Sequence, residues 1–159
     1  MTTRVSSKRS PAGARRLFLQ RPPNTDVNAY AGIVVAQVER LIKQGVPPNH
    51  IVVVGFSKGG DIAIHVSSFL RRPDVRFVLL AACWSRTGEP QVRLTGQVLS
   101  IYETSDTLAG DSCEPLTQHA EKPQSFREIS IFTGRSHGAF YTPDKAWVAP
   151  VLDWIHGQD

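Results

Sequence analysis

The sequence predicts an α/β fold: a mostly parallel sheet of about five strands with helices on both faces. Three observations carry this. Short, mainly apolar runs rich in β-branched residues, such as IVVV at 51–54 and VRFVLLAA at 75–82, suit strands buried on both faces of a parallel sheet. Segments whose apolar residues recur at helical spacing lie between and after them, so strand and helix signals alternate along the chain. The length of 159 residues, with 41% hydrophobic and 20% charged side chains, matches one ordinary globular domain, and no apolar run is long enough to span a bilayer.

Residues 1–16, MTTRVSSKRSPAGARR, carry Arg4, Lys8, Arg9, Arg15 and Arg16 and no acid. This stretch alone accounts for +5 against a formal net charge of +4 for the chain, so residues 17–159, the expected domain, are close to neutral. Basic starts of this kind include organelle transit peptides and nucleic-acid arms. Here residues 1–16 are read as a flexible, strandless, solvated tail. The rest of the chain has no basic patch with interleaved aromatics, so no nucleic-acid partner is expected. No apolar signal-peptide core follows the tail, which makes the cytoplasm the expected location and leaves no membrane partner. In that compartment Cys83 and Cys113 default to free thiols unless the fold brings them together.

RLFLQ at 16–20 reads as a short strand, stopped by Arg21-Pro22-Pro23 because proline cannot donate to a sheet ladder. Asn24-Thr25-Asp26 supplies helix-capping chemistry, and Ile33, Val34, Val38, Leu41 and Ile42 then recur at helical spacing as far as Gly45. VPPN at 46–49 turns the chain into the strand at 51–54. A helix follows from about 58 to 70, and further strands are expected at 75–82, 98–102 (VLSIY) and 129–132 (ISIF). The stretch 107–127 is too polar to assign. Residues 146–156, with Trp147, Val148, Val151, Leu152, Trp154 and Ile155, close the chain as an amphipathic helix.

Between the strand at 51–54 and its helix stands Gly55-Phe56-Ser57-Lys58-Gly59-Gly60. A strand that ends in Gly-x-Ser-x-Gly and passes straight into a helix is a nucleophile elbow, whose central residue takes a strained backbone conformation and projects its hydroxyl above the sheet. Glycines flank it because side chains there would collide with neighbouring backbone, and Gly60 adds a small residue where the helix passes close to the strand. The helix start points backbone N–H groups at whatever sits on Ser57. The Lys58 N–H is therefore the candidate oxyanion donor. Phosphate binding by this turn is disfavoured, since neither Gly-x-x-x-x-Gly-Lys-Ser/Thr nor Gly-x-Gly-x-x-Gly is present.

A serine hydroxyl is a weak nucleophile and needs a base, itself held by an acid. In the chain order expected after an elbow, the acid comes next and the histidine last. His137 leaves the carboxyl end of ISIF through Thr133-Gly134-Arg135-Ser136, where open α/β sheets collect functional residues. His119 has no strand before it, and His156 sits at a helix end, so His137 is the candidate base. For the acid, Asp106 lies three residues into the loop after VLSIY. It is favoured over Glu103, which abuts the strand, and over Asp111; the plainer role for Asp106 is to cap a turn. Phe56, Cys83, Trp84, Phe140 and Tyr141 are candidates for the substrate pocket, although core packing accounts for the aromatics equally well.

Taken together, RPPNTDVNAYA, VVVGFSKGGDIAI, VLLAACW, SIYETSDTLAG and GRSHGAFY resemble the α/β-hydrolase superfamily, in particular small bacterial serine hydrolases with a Gly-x-Ser-Lys-Gly-Gly elbow. The likeness runs from about residue 21 to the end and implies a reduced α/β-hydrolase fold. It further implies Ser57 as nucleophile, His137 as base and then acid, Asp106 as the residue orienting it, an acyl-enzyme intermediate and no cofactor or metal. The superfamily carries more sheet before its first crossover helix, including the strand whose following loop donates a second oxyanion N–H, so the chain reads as truncated at its N-terminus. Two arrangements would close the resulting gap: RLFLQ beside residues 51–54, or a homodimer through the exposed sheet edge.

The expected function is a carboxylesterase acting on small-molecule esters with short acyl groups. Its activity should rise from acid to neutral pH as the base loses its proton. The alternative is a noncatalytic or weakly active remnant serving as a scaffold or binding protein, because losing one oxyanion donor costs about a hundred- to a thousandfold in turnover.

Overall fold

The computed structural model describes residues 5–9, 15–84, 92–118 and 122–157. His119 and residues 1–4 and 10–14 of the basic tail lie outside the described residues. The chain starts with β1 (Val5–Arg9) and β2 (Arg15–Leu19), paired antiparallel with Val5 opposite Leu19. Next comes α1 (Val27–Lys43), begun by Asp26, whose carboxylate accepts the Ala29 N–H at 2.7 Å. Arg40 and Lys43 in its last turn complement the helix dipole.

The elements that follow are β3 (Val52–Phe56), α2 (Lys58–Leu70), β4 (Arg76–Leu80), β5 (Gln97–Glu103), β6 (Ser125–Ile131) and α3 (Lys145–His156). Strands β3, β4, β5 and β6 lie side by side in that order, all parallel. Alternate side chains of each strand face opposite layers. Phe77, Leu79 and Val98 point toward α1 and α2, where Val34, Val38, Ile62 and Val66 complete one core. Val78, Leu80, Leu99 and Ile101 point the other way, against Val151 and Trp154 of α3. Helices thus cover both faces, as the alternation predicts. Each large apolar side chain so buried contributes about 1.5–3 kcal/mol.

Several expectations are corrected. The parallel sheet has four strands, because RLFLQ pairs with β1 rather than with β3. Residues 5–9 are a strand, so the tail is not strandless. The run at 51–54 is not buried on both faces: β3 is an edge strand, and Val54 is 51% exposed. The last strand begins at Ser125, four residues earlier than ISIF suggests, and ends before Phe132. It too is an edge, which permits polar residues such as Arg127 and Glu128 and so masks the apolar pattern.

Cys83 and Cys113 are not free thiols. They form a disulfide with Cα atoms 5.4 Å apart, because the chain leaving β5 folds back over the end of β4. Along the edge of β3, a cavity of about 380 Å³ opens between Leu17 of β2 and Val34, Val38, Val52 and Val54. Among the described residues no helix is long and apolar enough to cross a membrane.

Candidate active site

Strand β3 delivers Ser57 to the carboxyl edge of the sheet, and α2 begins at the next residue. Ser57 has φ 53° and ψ −124°, a left-handed backbone that costs a non-glycine residue about 1–3 kcal/mol. Its N–H donates to the Leu80 carbonyl at 2.9 Å, and its own carbonyl accepts the Asp61 N–H at 3.0 Å, so strand and helix together hold the turn. A Cβ on Gly55 would stand 2.1 Å from the Gly59 oxygen, and one on Gly60 would stand 2.5 Å from Ala82 Cβ. The close passage of α2 over β3 and β4 therefore depends on those two glycines. Gly59, the second glycine of the motif, has open space where a Cβ would go.

The His137 Nε2 lies 2.9 Å from Ser57 Oγ, and its Nδ1 lies 2.6 Å from Asp106 Oδ2. With a carboxylate accepting at Nδ1, the ring carries its proton there and presents the Nε2 lone pair to the serine hydroxyl. Asp106 is buried. Its Oδ1 accepts the N–H groups of Leu108 at 2.8 Å and Ala109 at 3.2 Å, so one oxygen caps a turn while the other faces the histidine. Burial pushes the Asp106 carboxyl up, but the hydrogen bond from His137 and those from Leu108 and Ala109 outweigh it and hold the group below its ordinary value of 3.8.

Phe56 packs its ring 4.9 Å from that of His137, 5.7 Å from Phe140 and 5.6 Å edge-on from Tyr141. Phe140 is buried against Trp147, whereas Tyr141 is exposed beside the histidine. Cys83, an expected pocket residue, is buried in the disulfide, and half-buried Trp84 packs on the α3-side core. The Lys58 N–H occupies the first helical position, which has no intrahelical acceptor. Asp111 and His156 are exposed. Among the described residues no group of three His, Cys, Asp or Glu side chains is placed to hold a metal ion.

No protein-family model and no curated protein sequence matches the chain. Solved structures do. SOBER1 from Arabidopsis thaliana superposes with a TM-score of 0.60 at 15% identity, over 83% of this chain and 64% of its own. Two substituted forms of it give the same TM-score at 15% and 13% identity, over 87% and 96% of this chain and 68% and 70% of theirs. SOBER1 has the α/β-hydrolase fold. This chain has an α/β-hydrolase fold.

Within that fold, β3, β5 and β6 each end at the same edge of the sheet and feed Ser57, Asp106 and His137 respectively. From sequence alone, Glu103 stands only as a rival acid. The structure turns its carboxylate away from His137 and onto Ser105 and Thr133. Its place at the last residue of β5, two positions before a serine, was the available signal.

Proposed function

We propose that the protein is a serine hydrolase, a carboxylesterase acting on short acyl esters through an acyl-enzyme. The hydrogen-bonded relay from Ser57 Oγ through His137 to Asp106 carries this reading. As Ser57 Oγ attacks the ester carbonyl, His137 Nε2 takes its proton, and the imidazolium so formed is stabilised by Asp106. The Lys58 N–H donates to the oxyanion. Collapse of the tetrahedral adduct breaks the bond to the alcohol, which leaves with the proton from His137. Water then enters, loses a proton to His137 and releases the acid, restoring Ser57. The rings of Phe56 and Tyr141 beside His137 suit a small apolar acyl group. The disulfide favours an oxidising compartment over the cytoplasm.

A second reading, a noncatalytic binding protein, draws on the edge of β3, which is unpaired among the described residues, and the cavity beside it. Intact mass after incubation with a fluorophosphonate separates the two. One phosphonyl adduct on the wild type and none on Ser57→Ala is the expected result. A folded wild type that takes no adduct would remove the hydrolase reading and leave the binding one.

A further inference from the structure

Glu103 is fully enclosed, with 0% relative exposure. Such a group survives as an anion only when its oxygens are fully hydrogen-bonded. Here four donors converge on it. Oε1 accepts the Ser105 hydroxyl at 2.8 Å and the Ser105 N–H at 3.2 Å; Oε2 accepts the Thr133 hydroxyl at 2.7 Å and the Thr133 N–H at 2.8 Å. Ser105 immediately precedes Asp106, and Thr133 opens the loop that carries His137. One carboxylate therefore staples together the two loops that supply the acid and the base.

The link continues one bond further. Having donated its proton to Glu103, the Ser105 hydroxyl accepts the Ser136 N–H at 3.2 Å. Ser136 is the residue before His137 and sits at φ 52°, a left-handed conformation that a serine does not hold without outside contacts. The chain of contacts from Glu103 to Ser105 to the Ser136 backbone thus sets the direction in which His137 leaves its loop. From this geometry we infer that Glu103 is a positioning residue: it fixes the Asp106 and His137 loops in the one register that lets Nδ1 meet the acid and Nε2 meet Ser57. This rests on the proposed serine-hydrolase reading for its purpose, but not for its geometry.

The inference predicts a graded response. Glu103→Gln replaces an acceptor oxygen with a donor nitrogen and sets it against an N–H and a hydroxyl of one loop. Ser105→Ala removes the bond to Ser136, and Thr133→Val removes one hydroxyl from Oε2, whereas Thr133→Ser keeps it. Two quantities are measured on each variant. The first is the rate of phosphonylation of Ser57; the second is the pair of ¹⁵N shifts of the His137 ring at alkaline pH, which report its tautomer.

The expected result is a fall of about 10- to 100-fold in rate for the first three variants, the size of effect that misplacing a reacting group by about 1 Å produces. Loss of the single Nδ1–H tautomer should accompany it, with both readouts retained in Thr133→Ser. A folded Glu103→Gln protein with the wild-type rate and tautomer would overturn the assignment. Should Glu103→Gln fail to fold, unchanged tautomers in Ser105→Ala and Thr133→Val would overturn it equally. A wild type that takes no phosphonyl group counts against the hydrolase, while the ring shifts still decide the role of Glu103.

Discussion

A Cβ at Gly55 meets the Gly59 backbone oxygen at 2.1 Å, and one at Gly60 meets Ala82, yet one at Gly59 meets nothing within 4 Å. The motif treats Gly55 and Gly59 alike; the packing does not. Gly60→Ala should lose about 1–3 kcal/mol, the ordinary cost of forcing atoms into a filled space. Gly55→Ala should lose more, because the approach is closer and three backbone atoms of Gly59 and Gly60 lie within 2.7 Å of the new Cβ. Gly59→Ala should be neutral or gain up to about 1 kcal/mol, since alanine is the better helix former. Urea unfolding of the three variants measures this, and a Gly59→Ala loss as large as that of Gly60→Ala would contradict it. Ser57, Asp106 and His137 were legible because each follows a recognisable strand in a fixed chain order. Glu103 was legible only as an acid, since Ser105 beside it says little alone and Thr133 meets it by way of pairing between β5 and β6.

At the level of elements, central strands were easier to read than edges. β4 and β5 are almost wholly buried and show it in their composition. In β6, an edge strand, polar residues stand on both faces, Arg127 on one and Glu128 and Ser130 on the other, so the pattern resembles a loop until its last residues. RLFLQ was correctly a strand, but no local signal says which neighbour it will take, and it pairs with residues 5–9. The disulfide was hidden for a related reason: it depends on how the segment after Asp106 folds back over the end of β4, and that segment has no periodicity to read. Cys83 and Cys113 are separated by 30 positions, and cross-linking a loop of that size restricts the unfolded chain by about 3–4 kcal/mol in the loop-entropy picture. The double variant Cys83→Ala/Cys113→Ala should lose about that much stability by denaturant unfolding and become insensitive to reductant. Equal stability with and without the bond would show that the fold-back of this segment owes nothing to it.

For the molecule as a whole, two enclosed carboxylates three residues apart, Glu103 at the end of β5 and Asp106 in the loop after it, join β5, β6 and the His137 loop, so their ionisation is coupled to folding. Burial pushes the Glu103 carboxyl up, but the hydrogen bonds from Thr133 and Ser105 outweigh it, and Asp106 is lowered in the same way by His137, Leu108 and Ala109. A carboxyl whose folded value lies below its unfolded one binds its proton more readily in the unfolded chain. The stability it contributes is therefore complete above the ordinary values of 4.5 and 3.8 and is lost as pH falls through the lowered, folded ones. Urea midpoints should accordingly show no loss from these two groups between pH 7 and pH 5, and should drop steeply below about pH 4.5. Glu103→Gln separates their shares: it should be less stable than the wild type at pH 7, where the anion is missing, and lose less on acidification, because one of the two titrating groups is gone. The two curves should converge toward low pH. Parallel curves across the same range would mean that the acid sensitivity lies elsewhere and that the Glu103 anion is not what holds the two loops together.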